Sequence, residues 1–169
     1  MHSRFIALAV AVLAAGCASG PPEWVVSPEA EGGFAATDCV RDSGKLSLDR
    51  QVALAKARAG IAKQFDQRVN AMDKAYAGAR DPNAATQPGA ATPFAIASRS
   101  VAEQVLSGLE PSRVEYVEID DARQLCAMVT VEAEQARQLF DRLVQASGET
   151  PDDATREALF GEFSGAAPP

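Results

Sequence analysis

The stretch from Leu48 to about Ala77 constrains the fold more than any other part of this chain. Leu54, Ile61, Phe65, Val69, Met72 and Tyr76 recur at three-, four- and seven-residue spacings, which puts them on one stripe of a single long amphipathic helix. Ser47 stands where an N-cap is needed, and Asp49 places a negative charge in the first turn, where the helix dipole favours it. Beside the stripe, Ala55, Ala59 and Ala62 form a band of small residues that would let the helix sit close on a sheet. Lys56, Lys63, Arg68 and Lys74 lie largely off the stripe and read as a solvated face.

The other elements are shorter. Phe34 to Val40 reads as a strand between Gly32-Gly33 and Asp42-Ser43-Gly44. From Gly78 to Ala91 the composition falls to Ala, Pro, Gly and polar residues without periodicity, which predicts a flexible excursion. Asp81-Pro82-Asn83 within it lacks the alternating acidic ligands, the Gly and the closing Glu of a calcium loop. Thr92-Pro93 fits an N-cap followed by Pro at the first helical position, with a helix over Phe94–Ser107 and a stop at Gly108. Val114–Ile119 and Leu125–Val131 form a hairpin around Asp120-Asp121-Ala122-Arg123. Strand alternation puts Leu125, Ala127, Val129 and Val131 on the face that meets the helices, with Cys126, Met128 and Thr130 on the other. Asp120 and Asp121, adjacent on a polar tip, read as a solvated turn rather than a catalytic or metal-binding pair.

Glu132 to Ala146 is a further amphipathic helix closed by Gly148, with Leu139, Phe140, Leu143 and Val144 on its apolar side. Thr150-Pro151-Asp152-Asp153 starts a short tail helix, and Gly165 to Pro169 should be disordered. The fold expected is α+β: a small antiparallel sheet of about three strands, one early strand plus the C-terminal hairpin, with the long helix and two further helices packed on one face. The segments are residues 1–16 as export signal, 17–33 as linker, 34–147 as the domain and 148–169 as a C-terminal tail.

Residues 1 to 17, MHSRFIALAVAVLAAGC, read as a bacterial lipoprotein signal. Arg4 gives a short positive start, and the apolar run from Phe5 to Leu13 is too short to span a bilayer of about 30 Å. Leu13-Ala14-Ala15-Gly16-Cys17 places small residues next to a thiol, as in a lipobox, although Leu stands one place earlier than in the strict pattern. Cys17 is thus the expected lipidation site, with an ordinary secretory signal cut nearby as the competing reading. Ala18, not Asp, follows the anchor, which by similarity to Gram-negative lipoproteins points to the outer membrane.

Composition excludes several chemistries. The only histidine is His2, inside the signal, so a Ser-His-Asp or Cys-His nucleophile is beyond reach, as are most zinc sites. With 23 acidic against 16 basic residues the net charge is −7, and loss of Arg4 makes the mature chain more acidic still. Such a chain repels phosphate backbones, so nucleic acid is not an expected partner, and the membrane contact should run through the lipid. Alanine supplies 34 of 169 residues, which leaves few large side chains for a core or an enclosed ligand pocket. With Cys17 used by the anchor, Cys39 and Cys126 remain as an even pair in an oxidising compartment and read as a disulfide. Separate buried thiols and an intermolecular bridge are the alternatives. Trp24 in the linker and Leu159, Phe160 and Phe163 in the tail are candidate partner-binding residues, against the alternative that each packs on its own domain.

Trp24 and Ser27-Pro28 after a lipidated Cys, a short strand, Ala53-Leu54-Ala55-Lys56-Ala57-Arg58 opening a long helix, and a hairpin ending Leu125-Cys126-Ala127-Met128-Val129 together resemble the LPP20 lipoprotein family over roughly residues 23 to 145. The chain departs from the family where a Gly is expected near Asp38-Cys39 and where a hairpin Trp corresponds to about Tyr116. The resemblance implies a small α+β domain related to the amino-terminal domain of a flagellar outer-membrane ring protein. It also implies an envelope component with no shared enzymatic activity, no catalytic residues and no cofactor. The functional expectation is an outer-membrane-anchored lipoprotein making structural or adaptor contacts in the envelope or a flagellar assembly. The alternatives are a carboxylate-dependent peptidoglycan hydrolase, which would need two acids with opposed pKa shifts in one cleft, and a small lipid or ligand carrier.

Overall fold

The computed structural model describes residues 20–80 and 92–165. Eight elements follow one another: α1 (Glu23–Val26), β1 (Phe34–Arg41), α2 (Leu46–Arg80), α3 (Pro93–Leu106), β2 (Pro111–Ile119), β3 (Ala122–Val131), α4 (Ala133–Ser147) and α5 (Asp153–Ser164). The architecture is α+β, with one antiparallel sheet in the order β1-β3-β2. The excursion around 81–91, with Asp81-Pro82-Asn83, and the end of the chain from residue 166 lie outside the described residues.

The long helix begins at Leu46, earlier than the spacing predicts, because the Lys45 carbonyl already accepts the amides of Leu48 and Asp49. Ser47 is therefore inside the first turn. The chain is held there instead by Asp49, whose carboxylate accepts the Ser43 amide at 3.0 Å and the Ser43 hydroxyl at 2.6 Å. Ala53, Ala57, Ile61, Phe65, Val69 and Met72 are the buried stripe. Ala55 and Ala59 are exposed, which corrects the expected small-residue contact. They sit two residues out of phase with Ala53 and Ala57, about 200° around the helix. The close approach is made by Gly60, where a Cβ would stand 2.8 Å from the Cβ of Ala36.

Three contacts fix the direction of α2 against the sheet. Lys56 meets Asp38 at 2.7 Å, Gly60 meets Ala36, and the Gln64 amide donates to the Ala35 carbonyl at 2.7 Å. The helix thus runs antiparallel to β1 and passes the beginning of that strand near Phe65. Everything beyond projects past the sheet, and α3, α4 and α5 cover it. Tyr76 packs edge-on to Phe94 at 5.3 Å, and Thr92 caps α3 by accepting the Ala95 amide.

The hairpin is tighter than expected. Asp120 and Asp121 alone make the turn, with φ of 51° and 59°, while Ala122 and Arg123 belong to β3. Two left-handed residues match the right-handed twist of the flanking strands, and Asp tolerates that conformation better than most side chains. Leu125, Ala127, Val129 and Val131 are buried on the helix side as the alternation predicts. On the opposite face Cys39 lies directly across from Cys126, and the two sulfurs are bonded at 2.02 Å. The bond closes a loop of 87 residues, which in the chain-entropy model stabilises by about 4–5 kcal/mol.

The largest correction concerns the C-terminal segment. Leu159 and Phe163 are 2% and 0% exposed, so they are core residues and not a surface for a partner. The Phe163 ring lies 5.5 Å from Phe34, 5.7 Å from Phe65 and 5.7 Å from Phe140, joining β1, α2 and α4 in one aromatic cluster. Phe160 packs on Phe140 at 5.3 Å beneath the Arg137 guanidinium. Helix α5 is capped by Asp152, which accepts the Thr155 amide at 2.8 Å, and is clipped to α4 by the Arg137–Glu157 and Arg156–Asp141 ion pairs. The packed body therefore extends to Ser164, beyond the domain end expected at residue 147.

Three outcomes follow. Phe163→Ala should lower unfolding free energy by about 3–5 kcal/mol, measured by urea denaturation, because it removes the ring on which three elements converge. Val129→Asp should abolish cooperative unfolding by burying an unpaired carboxylate. Asp121→Ala, at a left-handed position on the hairpin tip, should cost only about 1–2 kcal/mol.

Candidate functional site

The helices leave one face of the sheet uncovered, and α1 lies across it. The Trp24 carbonyl accepts the Thr37 hydroxyl at 2.7 Å, and the Arg113 guanidinium stacks over the Trp24 ring at 4.6 Å. The indole Nε1 is buried and has no hydrogen-bond partner. Trp24, half-buried, is therefore a strap that pins residues 23–26 to the sheet, the packing on its own domain that the sequence held as an alternative to partner binding. Its neighbours on this face are Thr37, Cys39, Cys126 and Met128, so the disulfide and the strap share one surface.

Among the described residues the carboxyls with opposed shifts form no reacting pair. Asp49 is held below its ordinary value of 3.8 by the hydroxyl and then the amide of Ser43. Asp73 is raised above 3.8 by burial, which a hydrogen bond from the Thr92 hydroxyl partly offsets. These two carboxyls have opposed shifts, yet they lie 24 residues apart on one helix, roughly 36 Å along its axis. No single substrate bond can lie between them. Asp152 is lowered by the Thr155 amide it caps. Tyr76 is raised because its hydroxyl donates to Glu149 at 2.7 Å, and Glu149 also pairs with Arg80. Among the described residues no cluster of three or more His, Cys, Asp or Glu could hold a metal ion.

An open groove of about 930 Å³ lies between the first half of α2 and β2, lined by Leu46, Arg50, Leu54, Val114, Tyr116 and Leu125. The Arg123 guanidinium stacks on Tyr116 at 3.9 Å. Sequence reasoning placed Leu54 and Leu125 on apolar faces and named no groove residue as part of a site. The available signal was the apolar cluster Leu46 and Leu48 at the head of α2, both about half exposed although they flank a buried stripe. A second open cleft of about 800 Å³ lies under residues 28–33, with Glu29, Glu31, Gln64 and Arg68 on its walls.

Cys17 lies outside the described residues. Strapping at α1 nevertheless changes what the segment after it can do. The sequence reading allots residues 17–33 to a linker, but within that stretch residues 23–26 form a helix docked on the sheet.

The two opposed carboxyls predict opposite pH slopes. Asp73, raised in the folded state, makes stability fall as pH climbs from its unfolded value to its folded one, and Asp73→Asn should remove that slope. Asp49, lowered in the folded state, contributes stability above its unfolded value that disappears as pH drops through the folded one. Asp49→Asn should flatten the acid limb. Urea midpoints of the two variants, followed from acid to neutral pH, check both signs.

Comparison with known proteins found no match among family models, curated proteins or solved structures.

Proposed function

We propose that this protein is an outer-membrane lipoprotein, anchored through Cys17, whose domain makes structural or adaptor contacts with other envelope proteins and carries out no catalysis. The observation that carries the reading is the small-residue run into Cys17 at the end of a short apolar segment, followed at once by a domain strapped down from residue 23. Two or more acyl chains, at about 0.8 kcal/mol per buried CH₂, hold a small domain firmly where one chain does not. The separation of Asp49 from Asp73 and the absence of histidine from the mature chain support the non-catalytic part. The open, partly charged groove gives little support to a carrier of small apolar ligands. The resemblance to the LPP20 lipoprotein family supports an envelope role, and a flagellar assembly is one setting for it.

An anchor at Cys17 would be tied to the strap by a short tether. Six Cα steps separate Cys17 from Glu23, a reach of roughly 20 Å at full extension. The uncovered sheet face, which carries α1, would then be turned toward the bilayer and the helical layer toward the periplasm or the medium. Partner contacts would be made by the helices and sheet edges that point away.

Metabolic labelling tests the anchor. Wild-type protein should incorporate labelled palmitate and fractionate with the outer membrane, while Cys17→Ser should take up no label and accumulate as unprocessed precursor. Label in the Cys17→Ser protein would refute the anchor. Peptidoglycan cleavage by the purified protein that is abolished by a single Asp or Glu substitution would refute the non-catalytic reading.

A further inference from the structure

The two edges of the sheet are treated differently. On β1 the carbonyls of Ala35 and Cys39 point away from β3 and accept from Gln64 at 2.7 Å and Lys56 at 3.3 Å. Asp42, one register step on, instead donates inward to the Arg123 carbonyl at 3.0 Å, so the even-numbered residues of β1 bond to β3 and the odd ones face out. The long helix thus seals the β1 edge.

The same alternation continues across the sheet. Met128, opposite Thr37, turns its carbonyl toward β2, where it accepts the Ser112 hydroxyl. Cys126, two residues earlier, turns the same way toward Glu115. Val114, Tyr116 and Glu118 must therefore point their backbone N–H and C=O groups outward from β2, and no side chain of the described residues caps them. Directly beside this open edge lies the apolar groove, with Tyr116 36% and Leu46 56% exposed.

We propose that a second copy of the chain occupies this edge, β2 pairing antiparallel with β2 about a dyad at Tyr116 to make a continuous six-stranded sheet. That register is singled out by the strand itself. It pairs Val114 with Glu118 of the other copy, Tyr116 with Tyr116 and Glu118 with Val114, so all three outward residues are used, each pair exchanging two backbone bonds. The two tyrosines become a cross-strand aromatic pair, and Arg113 and Glu115 meet Ile119 and Val117, so no like charges are opposed. Centring one residue earlier would set Glu115 against Glu115. Charge favours the same arrangement: among the described residues Arg50, on the groove wall beside Val114, and Glu118 each have no ion-pair partner, and the register brings Glu118 of one copy next to Val114 of the other. Directly paired residues of an antiparallel sheet share a face, so the dyad is perpendicular to the sheet and both α1 straps lie on the same side. If the anchor reading holds, both lipids enter one bilayer. The pairing itself does not depend on it.

The test uses the mature chain carrying Cys17→Ser, exported behind a generic cleavable signal so that neither lipid nor free thiol joins copies. Sedimentation equilibrium across the micromolar to millimolar range should show a monomer–dimer equilibrium. Tyr116→Pro removes an outward N–H and no bond of the internal ladder, and should leave monomer with unchanged circular dichroism. Arg50→Glu should weaken dimerisation about tenfold, equivalent to about 1.4 kcal/mol, and Arg50→Glu combined with Glu118→Lys should restore it, which keeps the test decisive if Tyr116→Pro fails to fold. A chain that stays monomeric at millimolar concentration overturns the proposal, as does a dimer that survives Tyr116→Pro with its fold intact or is indifferent to both charge variants. Capture of a foreign extended peptide at β2 without self-association overturns it in favour of that other occupant. Because the sample carries no lipid, the outcome is separate from the palmitate labelling.

Discussion

The structure depends on a mismatch of lengths. A helix of 35 residues is about 52 Å long, whereas strands of 8 to 10 residues span only about 27–34 Å. One half of α2 can lie on the sheet; the other half has nothing beneath it. An isolated helical overhang is marginal in water, because helix stability in proteins comes mostly from burying an apolar face. Phe65, Val69 and Met72 on the overhang are nevertheless buried, since α3, α4 and α5 build a second half of the core around them. The chain order follows from this: two helices flank the hairpin and one follows α4 back to the same cluster.

Five phenylalanines carry much of that second half. Phe34, Phe65, Phe94, Phe140 and Phe163 are all among the largest fully buried side chains, and several meet edge to face, the geometry that ring quadrupoles favour. An alanine-rich chain can thus close a core if its few large residues converge on one point. Phe163 is that point, although it comes only after a Gly-Glu-Thr-Pro break in the sequence. The sheet adds a second lock on its other face, where the Cys39–Cys126 bond and the Trp24 strap sit side by side and hold β1 to β3 independently of the helices.

Much of this was legible locally. The buried stripe of α2, the Thr92-Pro93 start of α3, the inward face of β3, the Gly148 stop and the three-stranded antiparallel sheet follow from periodicity, capping and turn chemistry, which act between residues a few positions apart. The errors have the same origin. Ser47 looked like a cap because its spacing was right, but the helix started earlier when the Lys45 carbonyl found donors. Ala55 and Ala59 looked like a contact band because they are small, but helical phase placed Ala53, Ala57 and Gly60 against the sheet. Arg123 looked like loop because it is charged, yet its side chain lies over Tyr116 from within a strand.

The sequence by itself determined the elements: one dominant helix, an α+β mixture, a hairpin around Asp120 and Asp121, an apolar stripe on each long element, and a chain whose one imidazole is His2. Only the tertiary structure decided which apolar residues were used internally and which were left over. Trp24, Leu159 and Phe163 are candidates for external contact when each is read within its own segment, and all three are consumed by surfaces tens of residues away. Leu46, Val114 and Tyr116, none of them a candidate for contact in the sequence, end beside an open edge because α2 crosses the sheet toward β1 and leaves β2 bare. Propensity and capping are properties of neighbours along the chain, whereas burial and edge exposure depend on where a helix longer than its sheet comes to rest.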